Sequence, residues 1–348
     1  MKRKLYAALL TFVVLVASSA ATATQAQTNR RRAGAQRRPA APAATTQDVV
    51  PLPASDAVVF VDLKRLLTDA IPRALASDAA KLAEVNADIE QFKTQTGIDP
   101  RAFDRLAIGA RLVTLPDGKL KIDNAVAIAH GTFDAAALIA AGRVASNGQY
   151  TEQKHGGKSV YVFRPQDRIK LFGLLSVRAS ELALTVLDPT TIAVGDPAGV
   201  RAAIDAQAGR GRVSAEMVTL ARQNPNAIVG FGGLVPASAT KGLDLGNEEI
   251  SRSVASIRQF YGSLGTTATG FDLLTVLRTT GARDAQNLSD TLTALKQFAP
   301  LLLARLPGER GRVAQKAIDS LRVTAQGTEV QLRLEVAQTD IAALVNTF

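Results

Sequence analysis

The stretch from Leu321 to Val336 constrains the fold more tightly than any other. After a turn at Gln326-Gly327, Val330, Leu332, Leu334 and Val336 alternate strictly with Glu329, Gln331, Arg333 and Glu335. A period of two puts the aliphatic set on one side of a pleated strand and the charged set on the other. The segment therefore specifies half of an antiparallel hairpin with one buried face and one wet face. Asp340 follows as the expected N-cap of a helix from Ile341 to Val345.

Hairpin followed by capped helix is the recurring unit of the chain. Leu106 to Val113 and Lys121 to Ala129 flank Pro116-Asp117-Gly118, where Pro sets a turn angle and Gly accepts positive φ. Asp134 then caps a helix through Arg143, with Phe133 and Leu138 spaced as a hydrophobic staple. Glu181 to Leu187 and Thr191 to Val194 repeat the pattern around Asp188-Pro189-Thr190, with Asp196 as N-cap and Pro197 at the first helical position. Ile257 to Leu264 pairs with Thr267 to Leu277 ahead of a helix from Ala282 to Leu303. The near-continuous apolar run Ala57 to Asp62 reads as a buried strand feeding a helix, and Asp78 to Thr96 as a helix with one apolar stripe at Leu82, Val85, Ile89 and Phe92.

These elements predict an α+β fold, mainly antiparallel sheet with helices on one face. Ser55 to Phe60 compares with Pro225 to Phe231, Asp104 to Ile108 with Asp319 to Val323, and Thr132 to Leu138 with Thr339 to Leu344. The comparison predicts two related halves, residues 49–212 and 213–348. Only 5% of the residues are aromatic and none is Trp, so the core is built from Leu, Val, Ile and Ala, and stacking on sugars or bases is disfavoured.

The amino terminus carries an address. Lys2, Arg3 and Lys4 precede an apolar run from Leu5 to Val16, and Ala21-Thr22-Ala23 and Thr24-Gln25-Ala26 offer small-x-small cleavage sites. This three-part pattern predicts a secretory signal peptide over residues 1–26. The rival is an uncleaved membrane anchor, disfavoured by the arginines beyond it, which would contravene the positive-inside tendency. With no Cys in the chain, lipidation at cysteine, disulfides, thiolate metal sites and cysteine nucleophiles are excluded.

Charge is concentrated in the same region. Eight of the 41 Lys and Arg precede Asp48 and no acid does, which leaves 33 basic against 31 acidic residues in the body. Residues 27–48 are rich in Ala, Pro, Thr and Arg and read as a disordered tether. Its Arg30, Arg31, Arg32, Arg37 and Arg38 are candidates for weak attraction to an anionic polymer or membrane surface. Specific nucleic-acid binding is not expected of a near-neutral body.

Reactive machinery is sparse. Of two histidines, His130 reads as a strand-end residue and His155, in Lys154-His155-Gly156-Gly157-Lys158, as part of a hairpin turn. Ser238-Ala239-Thr240-Lys241 matches S-x-x-K, in which a lysine activates a serine nucleophile, but no K-T-G or S-D-N accompanies it. Gly230-Phe231-Gly232-Gly233 lacks the spacing of a phosphate loop and reads as close backbone packing after a strand. Asp62, Asp99, Asp104 and Asp123 have no metal-site spacing, and Asn287-Leu288-Ser289 is a sequon inside a helix. No metal and no cofactor is expected.

LPASDAVVFVDLKRLL, FDAAALIAAG, KHGGKSVYVF and LTVLDPTTIAVGDPAGVRAAIDA together resemble a group of secreted bacterial proteins of unknown function. The resemblance spans roughly residues 50–348, rests on the hairpin-and-helix layout and implies no catalytic residues. The expected function is that of an exported, non-enzymatic binding or scaffolding protein of the periplasm or cell envelope, whose partner is an envelope protein or an anionic surface. The alternatives are a serine-dependent hydrolase using Ser238 and Lys241, and an anionic-polymer binder acting through the tether.

Overall fold

The computed structural model describes residues 50–114, 120–164, 169–171, 175–177, 181–236, 248–303 and 309–340. The signal and tether, the turn at 116–118, Ser238, Lys241 and the segment after Asp340 lie outside them. Among the described residues no helix is long and apolar enough to cross a membrane.

One antiparallel sheet of 12 strands dominates. At its centre β1 (Ala57–Asp62) pairs with β10 (Val229–Leu234), Val59 facing Phe231. Outward from β1 come the long hairpin β2 (Phe103–Thr114) and β3 (Leu120–Gly131), then β9 (Thr191–Gly195) and β8 (Leu182–Asp188). Beyond them the hairpin of β5 (Lys158–Phe163) and β4 (Tyr150–His155) forms one edge. Outward from β10 come β11 (Ile257–Thr266), β12 (Gly270–Thr279), β14 (Glu329–Ala337) and the edge strand β13 (Arg322–Gln326). Strands β6 (Ile169–Leu171) and β7 (Leu175–Val177) form a separate small ladder.

The α+β class and the antiparallel sheet are as the sequence predicts. The sheet runs unbroken across residues 212–213, because β1 and β10 pair along five positions. Their segments, Ser55 to Phe60 and Pro225 to Phe231, occupy adjacent central places. Asp104 to Ile108 and Asp319 to Val323 do not correspond in strand order: the former opens β2 inside the sheet and the latter enters β13 at its edge.

The main helical layer covers one face. It begins with α1 (Leu63–Arg65), a π turn (Leu66–Ala70) and α2 (Ile71–Ala74), followed by α3 (Ala79–Thr96) and α4 (Ala135–Ala145). Their Leu63, Leu67, Val85, Ile89 and Leu138 pack on Phe103, Ala129, Leu184 and Ile192. At the far end of the same face, α8 (Ala282–Leu303) sets Ala285 and Leu288 against Val330, and α9 (Glu309–Ser320) sets Ala317 beside Leu334; α7 (Glu248–Ala255) adjoins α8.

A smaller second layer refines the one-face expectation. α5 (Pro197–Gln207) and α6 (Ala215–Ala221) lie on the opposite face, where Val200, Ala203, Ile204, Met217 and Ala221 cluster with Val58, Ala107, Val126, Ile128 and Val160. The reason lies in the strands. Ala57-Val58-Val59-Phe60-Val61 and Ala125-Val126-Ala127-Ile128-Ala129 are apolar at every position, so both faces require cover. By contrast, the alternating β14 has its charged side uncovered by the main layer, where Arg278 holds Glu329 at 2.8 Å and Glu216 of α6 at 3.5 Å.

Glycines set how closely α6 approaches. Gly230-Phe231-Gly232-Gly233 is strand β10 itself rather than a loop following one, and a Cβ on Gly230 would overlap the carbonyl oxygen of Ala221. Close packing, as read from the sequence, is its role.

Candidate binding groove

α5 and α6 do not touch the sheet everywhere. Between their carboxyl-terminal ends lies a groove of about 780 Å³ floored by β1, β2, β3 and β10. A concavity of this size suits a small ligand.

Strand register builds the floor in two rows. Gly230, Phe60, Ala107, Ile128 and Ala193 face one another across five neighbouring strands and form an apolar row. Two residues along, on the same face, Asp62 faces Arg105, Arg105 faces His130 and His130 faces Thr191. The groove therefore has an apolar end and a polar end.

β-Bulges sharpen the polar end. The β2–β3 register shifts between Phe103 and Arg105, so Asp104 and Arg105 together oppose His130. The Asp104 carboxylate lies 2.8 Å from His130 Nδ1 and 3.8 Å from the Arg105 guanidinium. A second shift, between Val186 and Asp188, turns Asp188 toward the same rim. Burial favours its neutral form, but the Thr190 N–H and the Thr191 and Thr190 hydroxyls, with His130 nearby, hold its carboxyl below the ordinary range.

The remaining rim residues are anchored through the backbone or a ring. Arg212 donates from Nε to the Ala206 carbonyl at 2.6 Å and from Nη2 to the Gln207 carbonyl at 3.3 Å, closing the end of α5. Arg222 lies over the Phe60 ring, 5.2 Å from its centroid. Asp62 Oδ1 accepts from the Arg65 N–H at 2.8 Å. Val50 and Pro51 line the mouth.

Of the residues singled out in the sequence, the structure brings His130 and Asp104 together, and Asp62 sits in the same row. Asp99 pairs with Lys93 and Asp123 with Lys121, so the four aspartates do not converge. Among the described residues no three His, Asp or Glu side chains are placed to hold a metal. His155 ends β4 beside the two-residue turn Gly156-Gly157, both at positive φ, and its Nε2 lies 3.1 Å from Asp205 of α5. Arg105, Arg212, Arg222 and Asp188 were missed. Arg105 and Asp188 stand near the ends of strands, whereas Arg212 follows α5 and Arg222 closes α6, and bringing the four to one rim required both the strand register and the placement of the helices.

A smaller cavity of about 280 Å³ lies between α9 and β14, lined by Phe271, Val313, Ala317 and Val336 and bordered by the Lys316–Asp340 ion pair at 2.7 Å.

No family model matches this chain. A search of curated proteins finds no match either. Among solved structures, it is similar to crystal form III of TP0453, with a TM-score of 0.45 and 8% identity over 88% of this chain and 100% of that one. Crystal form I of TP0453 gives a TM-score of 0.41 and 8% identity over 87% of this chain and 99% of that one.

Proposed function

We propose that this chain is an exported, non-enzymatic binding protein of the periplasm or cell envelope, and that its ligand seat is the groove between α5 and α6. The carrying observation is the two-row floor: an apolar strip beside polar groups that are fixed by the fold. His130 is held by Asp104, Asp188 by Thr190 and Asp62 by the Arg65 N–H. Groups so committed orient a ligand and present a constant surface, as a binding site requires.

The export signal and the resemblance to secreted bacterial proteins support the compartment. We also read the halves as an ancient duplication, in keeping with the order hairpin, then inner strand of a second hairpin, on either side of β1 and β10. The tether supplies a second, weaker contact with anionic surfaces through Arg30, Arg31, Arg32, Arg37 and Arg38.

Two measurements test this reading. Mass spectrometry of the exported protein should find an amino terminus at Gln27, whereas an intact Met1 in the membrane fraction would refute cleavage. A thermal-shift screen of small organic molecules on the mature protein should return stabilising ligands whose effect disappears in Thr190→Trp, a substitution at the exposed rim. Ligand effects unchanged by Thr190→Trp would remove the groove as the seat.

A further inference from the structure

We infer that two copies of this chain associate through the far end of the β2–β3 hairpin, β3 pairing antiparallel with β3 about a two-fold axis at Ile122. The inference is independent of the groove.

This hairpin outruns its neighbours in the sheet. β1 last meets β2 at Ala110, opposite Ala57, and β9 last meets β3 at Val126, opposite Gly195. Beyond those points Arg111 faces Asp123, Leu112 faces Ile122 and Val113 faces Lys121 in a two-stranded arm. A two-stranded ribbon on its own is marginal in water. The two edges of the arm differ. Along β2, Asp56 accepts from the Leu112 N–H at 3.0 Å and lies 3.7 Å from the Arg111 guanidinium, which caps that edge. Along β3, Asp196 serves Ala125, but among the described residues no strand lies beside Lys121, Ile122 and Asp123. An open edge of this kind is a template for a further strand.

The residues on that edge specify which strand. Ile122 is 64% exposed, with Leu112 beside it across the ladder. A second copy sets Ile122 against Ile122 and completes a row of four aliphatic side chains across four strands. On the other face of β3, Lys121 and Asp123 flank Ile122 and pair with each other at 3.1 Å. Lys alone on an edge repels incoming strands. With Asp two residues along, the edge becomes self-complementary: the two-fold axis puts Lys121 of one copy opposite Asp123 of the other, twice, and leaves each internal pair intact. Since Arg111 faces Asp123 within the arm, the charges then alternate from Arg111 to Asp123 to Lys121 of the second copy. A lipid surface would cover Ile122 without matching this order of charges. So short a pairing falls below the roughly 1,000 Å² of a stable interface, so the contact is weak and reversible.

Sedimentation equilibrium of the mature protein from about 10 μM to about 1 mM, the range of weak association, should show a monomer–dimer equilibrium. Lys121→Glu and Asp123→Lys should each weaken it by about tenfold or more, because either change sets like charges opposite one another twice, while the circular dichroism spectrum stays that of the wild type. Mixed in equal amounts, the two variants should associate again, since one arm is then wholly acidic and the other wholly basic. The chain has no Cys, so Ile122→Cys introduces a single thiol. Facing residues of antiparallel strands lie about 4.5–5.5 Å apart at Cα, within disulfide reach. Mild oxidation should therefore link Ile122→Cys into covalent dimers, and should leave Val144→Cys, on α4 and 75% exposed, monomeric. A wild type that stays monomeric throughout, single variants that associate like the wild type, or a mixture that fails to recover association would overturn the inference. So would equal cross-linking of the two cysteine variants. Retention of the wild type but not Ile122→Asp on phosphatidylglycerol vesicles, with no dimer in solution, would assign the arm to a membrane instead and overturn it as well.

Discussion

Asp196 and Ala125 exchange two hydrogen bonds: the Asp196 N–H donates to the Ala125 carbonyl at 2.8 Å, and the Ala125 N–H donates to the Asp196 carboxylate at 2.7 Å. Asn124, at φ 52°, breaks the β3 ladder just before this point and leaves the Ala125 N–H in need of an acceptor. The first turn of α5 is thereby tied to β3. Asp196→Ala should cost about 1.5–3 kcal/mol, the range for hydrogen bonds to charged groups, and Asp196→Asn less because its carbonyl still accepts. Urea unfolding with an unchanged m-value checks this, and equal losses in the two variants would contradict it.

Gly230 and Gly232 make a matched pair. A Cβ at Gly230 would overlap the Ala221 carbonyl, whereas one at Gly232 meets nothing nearer than 3.5 Å. Gly230→Ala should lose about 1–3 kcal/mol by forcing α6 off the sheet, and Gly232→Ala should change stability by less than about 1 kcal/mol. Thermal unfolding of the two variants gives the comparison directly.

How far the sequence revealed these features depended on distance along the chain. Asp134 was legible as a cap, and its carboxylate accepts from Ala136 and Ala137, because the partners lie within one turn. Asp196 was legible in position only: it precedes Pro197 as expected, but its side chain serves Ala125 in place of the helix. No local pattern announces a partner that far upstream. The groove was invisible for the same reason. Asp62, Arg105, His130 and Thr191 meet only through three strand pairings, one offset by the bulge at Asp104, and periodicity fixes which face a residue takes but not its neighbour across the ladder. The second helical layer had a readable sign in the doubly apolar β1 and β3.

Phe103 is fully buried, and its ring stacks on Phe133 with centroids 5.9 Å apart. Phe103→Ala should destabilise by about 3–5 kcal/mol through lost burial and the cavity left behind. Phe103→Leu, which refills most of that volume, should recover much of the loss in chemical denaturation.

Acid stability should report the clamp between α5 and the β4–β5 hairpin. The hydrogen bond from Arg210, followed by that from His155, holds the Asp205 carboxyl below its usual range. A lowered carboxylate pKa contributes stability that is complete above the unfolded value, near 3.9, and is lost as pH falls through the folded value. Melting temperatures of the wild type and Asp205→Asn should therefore differ by a constant amount from neutrality to about pH 5 and converge below about pH 4. Divergence on acidification would have the wrong sign.

The most direct test of the groove as the ligand seat is a methyl-labelled NMR titration of the mature protein with a stabilising ligand from the thermal-shift screen. Shifts concentrated at Ile128 and Ala107, with Val313 and Ala317 beside the smaller cavity unmoved, are the predicted result. Movement of Val313 and Ala317 with Ile128 and Ala107 silent would contradict it.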